Sequence, residues 1–575
     1  MATKIKNLIR KIIRKFPSWQ QWQNLPKVLN KKELYFILLL ILLTIASTIT
    51  WIITSNIRNT KLIPDHGGSF KEGIVGNPQY INPVLSQSND ADRDLAELIF
   101  SGLMKYNEQG ELTTDIAEDY AIGEQGKVYD FFLRKDIKWH DNTPLTADDV
   151  IFTIQAIQNP ANRSPLRINW TGVEIQKIDD YTVRFILSTP YAPFLANTTI
   201  GILPRHIWEN IPPESFLLAP HNLEPIGTGP YKFKSIDQDD EGFVESIKLE
   251  SYENYHLSEP YIEEIEVFFY PDEESLIRAY NRGRVDNISL YSPKNKTLIT
   301  RNESNILRLN MPRYFAIFFN QSQSKPLADE TVRLALNYAT NKQEIIDETL
   351  EGEAKPVYSP IPKGVWAHTD EIDIYDYAPE HAKNILEEDG WTDEDNDGIR
   401  EKGETKLEIE LTTTELKELQ QTASIIQKQW EEIGAKVNLK ILNIGEIQQE
   451  YIRPREYQAL LFGQVLGIDP DPFSFWHSSQ KKDPGLNLAL YDNQTVDTLL
   501  EEARQTLDKQ ERIEDYKEIQ QTIVEDAPAV FLYSSYHLYI NDQKIKGADV
   551  ENIVLPSKRF SNINDWYIKT KRIKK

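Results

Sequence analysis

One uninterrupted apolar run breaks the otherwise mixed pattern of this chain. The twenty residues Leu34 to Ile53, LYFILLLILLTIASTITWII, include no charged side chain. Twenty helical residues rise roughly 30 Å, about the thickness of a bilayer's hydrocarbon core, so the pattern predicts a transmembrane helix over 34–54. Tyr35 and Trp51 fall near its ends, where amphipathic rings prefer the interface. A cleaved signal peptide would carry a shorter apolar stretch, about 7–15 residues long. Ala46-Ser47-Thr48 is a poor cleavage sequence and lies inside the run, so an uncleaved anchor is the expectation. Before it, Ile5, Leu8, Ile9, Ile12, Ile13 and Phe16 recur at helical spacing with basic residues between them. That pattern fits either a helix lying on the inner leaflet or a flank that only fixes topology.

Beyond the span, Asn56 to Gly68 (NIRNTKLIPDHGG) reads as a linker, taken as 55–67. From there on, short alternating runs mix with helical periodicity. Thr182–Leu187 and Lys406–Leu411 read as strands; in the first, Val183, Phe185 and Leu187 share a face. Ala328–Ala339 and Leu416–Ile433 read as helices, with apolar positions three and four apart. Gly and Pro mark the boundaries, and no fixed-period repeat is present. The pattern is mixed α/β, which excludes an all-β body and a helical solenoid.

Length changes this picture by requiring more than one domain: 575 residues exceed a single core. Charge adds orientation. Residues 1–32 carry nine Lys and Arg and no acid, whereas the remainder holds 55 basic against 88 acidic side chains, a net of −33. The basic segment, 1–33, belongs in the cytoplasm and the acidic body outside, making a single-pass plasma-membrane protein. So acidic a body repels phosphate backbones, so nucleic acid is excluded as a partner. The chain has no cysteine, which removes disulfides, thiolate metal sites, cysteine nucleophiles and lipid attachment through an N-terminal cysteine. No HExxH, GxSxG or phosphate-loop pattern occurs, and Gly227-Thr228-Gly229 runs into Pro230. An enzyme is therefore not expected.

One acidic stretch has a metal-ligand pattern. Asp393, Asp395 and Asp397, then Gly398 and, after five residues, Glu404 match the calcium-loop spacing D-x-D-x-D-G-x5-E. Arg400 departs from it by standing where an apolar residue is usual. A helix over Pro379–Glu388 precedes the loop and a strand follows, so this is no paired EF-hand. The alternatives are a weak structural Ca2+ site and a solvated hairpin turn; no cofactor is required by either.

Several segments carry a family resemblance. GIVGNPQYINPVLSQSNDADRDLAELIFSGLMKYNEQGEL (Gly73–Leu112) and AEDYAIGEQGKVYDFFLRKDIKWHDNTPLTADDVIFTI (Ala117–Ile154) are followed by PIGTGPYKF (Pro225–Phe233), ENYH (Glu253–His256), VRLALNYATNKQEII (Val332–Ile346), IDPDPFSFWHSSQ (Ile468–Gln480) and DAPAVFLY (Asp526–Tyr533). In order and spacing they resemble the bacterial extracellular solute-binding proteins of family 5, the oligopeptide- and dipeptide-binding type that serves ABC importers. The second segment also reads physically: a strand at Phe131–Lys135, a turn in which Asn142 replaces the family's usual Gly, and Thr146 capping a helix that begins Ala147-Asp148-Asp149. It identifies the fold without touching ligand.

The resemblance implies a two-lobed periplasmic-binding-protein fold of the large oligopeptide-binding type, closing on its ligand like a hinged trap. By analogy lobe I spans 68–320 and 531–568, lobe II spans 321–530, and 569–575 is a basic tail. It further implies capture of peptides for an ABC permease in the membrane. Within lobe II the ligand-lining segment is Ala459–Asp469, with Gly463, Gln464, Val465 and Leu466 at its centre. An open strand edge there would pair with an extended peptide backbone whatever its side chains. The aspartate that takes a peptide's α-amino group in relatives aligns with Ile468, leaving Asp469 or Asp471 for that role; Gln464 replaces a frequent tryptophan. In lobe I, Tyr80, Asn82 and Tyr231 are candidate contacts, while Trp476 and His477 pack behind the site. The two departures keep other readings open: a non-peptide solute such as an oligosaccharide or metal chelate, or a sensor.

Overall fold

The computed structural model describes residues 19–467 and 469–575. The amphipathic pattern over Ile5–Phe16 lies outside them. Residues up to Asp65 together with Lys569–Lys575 form one unit, and His66–Ile568 form a second.

In the first unit a short helix, Trp19–Val28, precedes a long one, Lys31–Asn59. Asn30 caps the long helix. Its side chain accepts the Glu33 N–H at 3.0 Å, while the Glu33 carboxylate accepts the Asn30 N–H at 2.9 Å. This helix is long and apolar enough to cross a membrane, and none of it is buried among the described residues. Its last turn runs directly into a strand, Thr60–Asp65, which pairs antiparallel with Lys569–Lys574 from Thr60↔Lys574 to Asp65↔Lys569. The segment expected to be a linker, 55–67, is thus helix and strand for most of its length, and the expected tail, 569–575, is the partner strand. Neither carries the apolar alternation that would have shown it, because this two-stranded ribbon has no core to face.

The second unit has two lobes. Lobe I is built on a mixed seven-stranded sheet, in the order Ser304–Leu309, His537–Asp542, Asn287–Leu290, Ser69–Val75, Glu264–Tyr270, Val244–Ser251, Tyr231–Gln238. A separate four-stranded antiparallel sheet holds Ala117–Gly123, Val128–Leu133, Thr182–Ile186 and Glu174–Asp179. Phe131, Val183 and Phe185 are fully buried there, as their alternation predicts. The motif stretch after it is structural: Trp139 is fully buried, Asn142 takes φ 72°, and the helix Ala147–Gln158 starts behind Thr146. The Asp149 carboxylate accepts the N–H groups of Thr146 and Arg205, each at 2.9 Å.

A buried ion cluster fastens the returning C-terminal segment to the first strand of lobe I. Arg559 reaches Asp94 at 2.6 Å and Glu72 at 3.0 Å, and the Tyr539 hydroxyl donates to Glu72 at 2.8 Å. Burial raises both carboxyl pKa values, and the paired carboxylates hold the Arg559 guanidinium charged.

Lobe II is a six-stranded sheet in the order Ala354–Pro356, Ala529–Ser535, Arg313–Phe319, Ala459–Val465, Glu408–Thr414, Lys436–Leu442. Apolar clusters cover both faces, one around Leu411, Leu461 and Trp430, the other around Leu460, Trp476 and Tyr516. The lobe boundaries accordingly move from those expected. Strand Arg313–Phe319 pairs along its whole length with Ala459–Val465, so the first crossing lies before 313, not at 320. Strand Ala529–Ser535 pairs with Arg313–Phe319, so the return to lobe I follows Ser535, not Val530. Both are largely buried and mostly apolar, and such composition cannot say which sheet a strand joins. Helices Lys417–Glu431, Glu330–Tyr338 and Pro379–Glu388 stand where periodicity placed them. The strand expected over Lys406–Leu411 is split between a hairpin, at Thr405–Lys406, and the lobe II sheet, from Glu408.

Candidate functional site

The cleft between the lobes starts from the strand Ala459–Val465. One of its edges is paired throughout with Arg313–Phe319. On the other, the parallel partner Glu408–Thr414 matches only Ala459 and Leu460, and the Thr413 hydroxyl then donates to the Leu461 carbonyl at 3.0 Å. From Phe462 to Val465 that edge has no strand partner among the described residues. Gly463 lies opposite Phe315, whose ring would stand 2.9 Å from an added Cβ, and Val465 is 53% exposed.

Side-chain alternation separates the residues expected to bind. Gln464 does not face the cleft. It is buried in lobe II, where its carbonyl accepts the Tyr314 hydroxyl and its amide points to the Leu486 carbonyl at 3.5 Å. Leu466 is likewise core, with its N–H donated to the Pro312 carbonyl at 2.6 Å. Past it, Gly467 lines a cavity of about 320 Å3 whose other walls come from lobe I.

Ile468 lies outside the described residues. Asp469 forms a fork with Arg512, Nη2 to Oδ1 at 2.6 Å and Nη1 to Oδ2 at 3.3 Å. Burial, and after it the negative charge of Asp469, raises the Tyr106 and Tyr129 pKa values of lobe I. Asp471 joins the lobes: its Oδ2 accepts the Tyr191 hydroxyl of lobe I at 3.1 Å and the Arg504 guanidinium at 3.0 Å. The Ala192 N–H donates to the Arg504 carbonyl at 2.7 Å, and Arg504 lies over the Tyr191 ring at 5.2 Å. Burial raises the Asp471 pKa against the opposing charge of Arg504. Behind this clasp Trp476 is fully buried and His477 stacks on Phe473 at 4.1 Å.

In lobe I the candidates turn out to build the wall without lining it. Asn82 is fully buried; its Oδ1 accepts the Val84 N–H at 3.0 Å and its amide donates to Asn222 at 3.2 Å. Tyr231 is also fully buried, its hydroxyl donated to the Ile262 carbonyl at 3.0 Å. Tyr80 is half-buried against the lobe I core and outside the cavity lining. Asp92 holds this loop by accepting the Gln79 and Tyr80 N–H groups at 2.7 and 2.9 Å, and burial pushes its carboxyl up to about 6. The cavity wall itself comes from residues the motifs did not single out, among them Gln87, Arg93, Tyr106, Asn169 and Thr199. Among its charged groups Lys558 pairs with Glu97 at 2.6 Å, Arg93 pairs with Asp90, Asp115 lies 2.6 Å from His256, and the Lys105 ammonium donates to the Ser561 carbonyl at 3.4 Å. Such a lining suits a polar ligand without large net charge.

The acidic turn is gathered as its spacing predicts, with one exchange. Asp393, Asp395 and Asp397 present carboxylate oxygens within 4.8 Å of one another and of Glu401; Glu404 is not in the group. Glu401 takes the place because it opens the strand that pairs with Thr405–Lys406 across the hairpin. Lys406 inserts its ammonium among these acids, 3.2 Å from Asp395 and paired with Asp397.

Comparison with known proteins agrees with this architecture. The profile of the bacterial extracellular solute-binding proteins, family 5, middle part, matches residues 111–486. The oligopeptide-binding protein AppA of Bacillus subtilis (strain 168) is 29% identical over 514 residues, covering 88% of this chain and 92% of that one. Its structure in complex with a nonapeptide superposes with a TM-score of 0.67, over 88% of this chain and 100% of that one, at 28% identity. The dipeptide-binding protein of Escherichia coli (strain K12) is 27% identical over 524 residues, 85% of this chain and 93% of that one. NikZ from Campylobacter jejuni, solved in complex with Ni(L-His), superposes with a TM-score of 0.69 at 28% identity, over 87% and 99% of the two chains.

Proposed function

Because this chain belongs to the bacterial extracellular solute-binding proteins of family 5, we propose that its outer body captures peptides between its lobes and delivers them to an ABC permease. The observation that carries the peptide reading is the unpaired edge from Phe462 to Val465, ending at the cavity-lining Gly467. An extended backbone can add to such an edge as a further strand, and that pairing is blind to sequence. The named relatives that bind an oligopeptide and dipeptides support it. Mass spectrometry of ligands carried through purification of residues 66–568 tests it: a heterogeneous peptide mixture is expected, and a single sugar or chelate overturns it.

The Asp469–Arg512 fork favours a second reading of the ligand. A carboxylate already matched by a guanidinium is a weaker anchor for a free ammonium, and a ligand without one, such as a metal chelate, needs none. Binding of one peptide with and without an acetylated N-terminus separates the two. A large loss on acetylation supports an amine anchor at Asp469, and equal binding opposes it.

We propose also that the helix Lys31–Asn59 stays attached as a single-pass anchor with the basic flank in the cytoplasm. Its apolar length and flanking charge support this; a mature chain starting within or after the helix would refute it. For the acidic turn we propose weak structural calcium binding in competition with the Lys406 ammonium. Calorimetry at millimolar calcium should show heat that Asp397→Ala abolishes.

A further inference from the structure

We propose that the ribbon following the membrane helix is a binding site for anionic phospholipid headgroups of the outer leaflet. This rests on the single-pass anchoring proposed above.

The first argument is depth. The apolar run ends at Ile53 and the helix continues to Asn59. Six further residues rise about 9 Å, enough to carry the chain through one headgroup layer of about 5–8 Å. The chain's last strand returns to this level. Thr60 pairs with Lys574, and the Lys575 N–H donates to the Asn59 carbonyl at 3.0 Å.

The second is charge. Lys569–Lys575 (KTKRIKK) has five basic residues and no acid, and Arg58 and Lys61 add two more. Asp65 is the sole carboxylate of the two strands, 2.9 Å from Lys571. Every side chain of Lys569–Lys574 is exposed. These cations crowd together at the membrane exit of a chain whose residues after 32 carry a net charge of −33. In water they repel one another, and a two-stranded ribbon is marginal by itself. Against a negatively charged surface the same cluster is attracted and the ribbon is held.

The third is shape. Helix and ribbon enclose a groove of about 650 Å3. Its inner end is apolar, formed by Trp51 and Ile52, and its outer end is cationic, formed by Arg58, Lys574 and Lys575. Apolar contact at acyl depth with cations at phosphate depth is the polarity of a phospholipid lying along the helix. A soluble anion would have no use for the exposed Trp51 wall.

The test uses the full chain in vesicles of equal parts phosphatidylcholine and phosphatidylglycerol. After mild detergent extraction, mass spectrometry counts each lipid retained. Wild type should keep phosphatidylglycerol over phosphatidylcholine by about fivefold or more, and 0.5 M salt should reduce the excess. Arg58→Gln with Lys574→Gln and Lys575→Gln should bring the ratio to the bulk value, while Lys574→Arg with Lys575→Arg should preserve it. A chain that resists an alkaline wash yet retains lipids in bulk proportion overturns this inference alone. A chain washed off the vesicles overturns the anchor, and the inference with it.

Discussion

Replacing Tyr191 by Phe isolates the clasp between the lobes. The substitution keeps the ring under Arg504 and removes only the hydroxyl that donates to Asp471 at 3.1 Å. A hydrogen bond to a charged group is worth about 1.5–3 kcal/mol. Arg504 remains on the same oxygen, so the lower part of that range applies, about 1.5–2 kcal/mol. The bond exists only where the lobes meet, so its loss falls on the closed state. If the free protein is mostly open, the closed fraction without ligand and the affinity for ligand should both fall by about 10- to 30-fold. If it is mostly closed, the same energy first empties that state and the affinity changes less. Both quantities can be measured. The chain has no cysteine, so Asp240→Cys in lobe I and Glu432→Cys in lobe II give two unique labelling points for distance distributions by electron spin resonance. Titration calorimetry with a ligand recovered from the purified protein gives Kd. The melting temperature should stay close to wild type, because Tyr191 joins lobes that each retain their own core. Where the wild-type distances show an open population, unchanged distances together with a Kd within twofold of wild type would refute the reasoning.

Three further outcomes follow from buried or enclosed charge. Arg559→Met should cost about 3–5 kcal/mol in denaturant unfolding at pH 7.5, because it strands Glu72 and Asp94. Their folded pKa values are raised, so the deficit should shrink as pH falls and both protonate; a deficit independent of pH counts against the cluster as its source. Lys342, fully buried with its ammonium 3.0 Å from the Val357 carbonyl, is pulled down to about 7 by burial. Between pH 10.5 and 7 the unfolded chain holds a proton that the folded one lacks, so stability drops as pH falls through that window and then levels. Lys342→Met should therefore stabilise most at pH 7 and below and hardly at all near pH 10.5; an equal gain at both refutes the titration. Lys406→Met should enlarge the calcium-induced rise in melting temperature, since it removes the internal cation beside Asp395 and Asp397, and no increase would show that Lys406 does not compete.

What was legible in the sequence was what local pattern decides. Helix Pro379–Glu388 and the left-handed Asn142 follow from periodicity and turn chemistry within a few residues. The two-lobed body and its family were readable because several motifs recur in order. The site was harder, because its side chains choose partners far away. The family resemblance puts Gln464 in the cleft, yet Tyr314, 150 residues earlier, draws it into the core. Asp469 looked available until Arg512 closed on it from 43 residues further on. Asn82 and Tyr231 sit in motif segments because they brace the wall, so a repeated motif marked structure and not contact. Strand Thr60–Asp65 and its partner lie at opposite ends of the chain, and a polar strand carries no mark of what it will pair with.

That last pairing also sets the stiffness of Thr60–Asp65. Six residues held as one strand of a ribbon make a strut of about 20 Å, at about 3.3 Å per residue. The same six as free coil would have a fluctuating reach of about 14 Å. Since Asp65 and Lys569 face each other, both chain ends of the body leave from the same end of the strut. Cutting Lys569–Lys575 would remove the partner strand and turn Thr60–Asp65 from a strut into a leash.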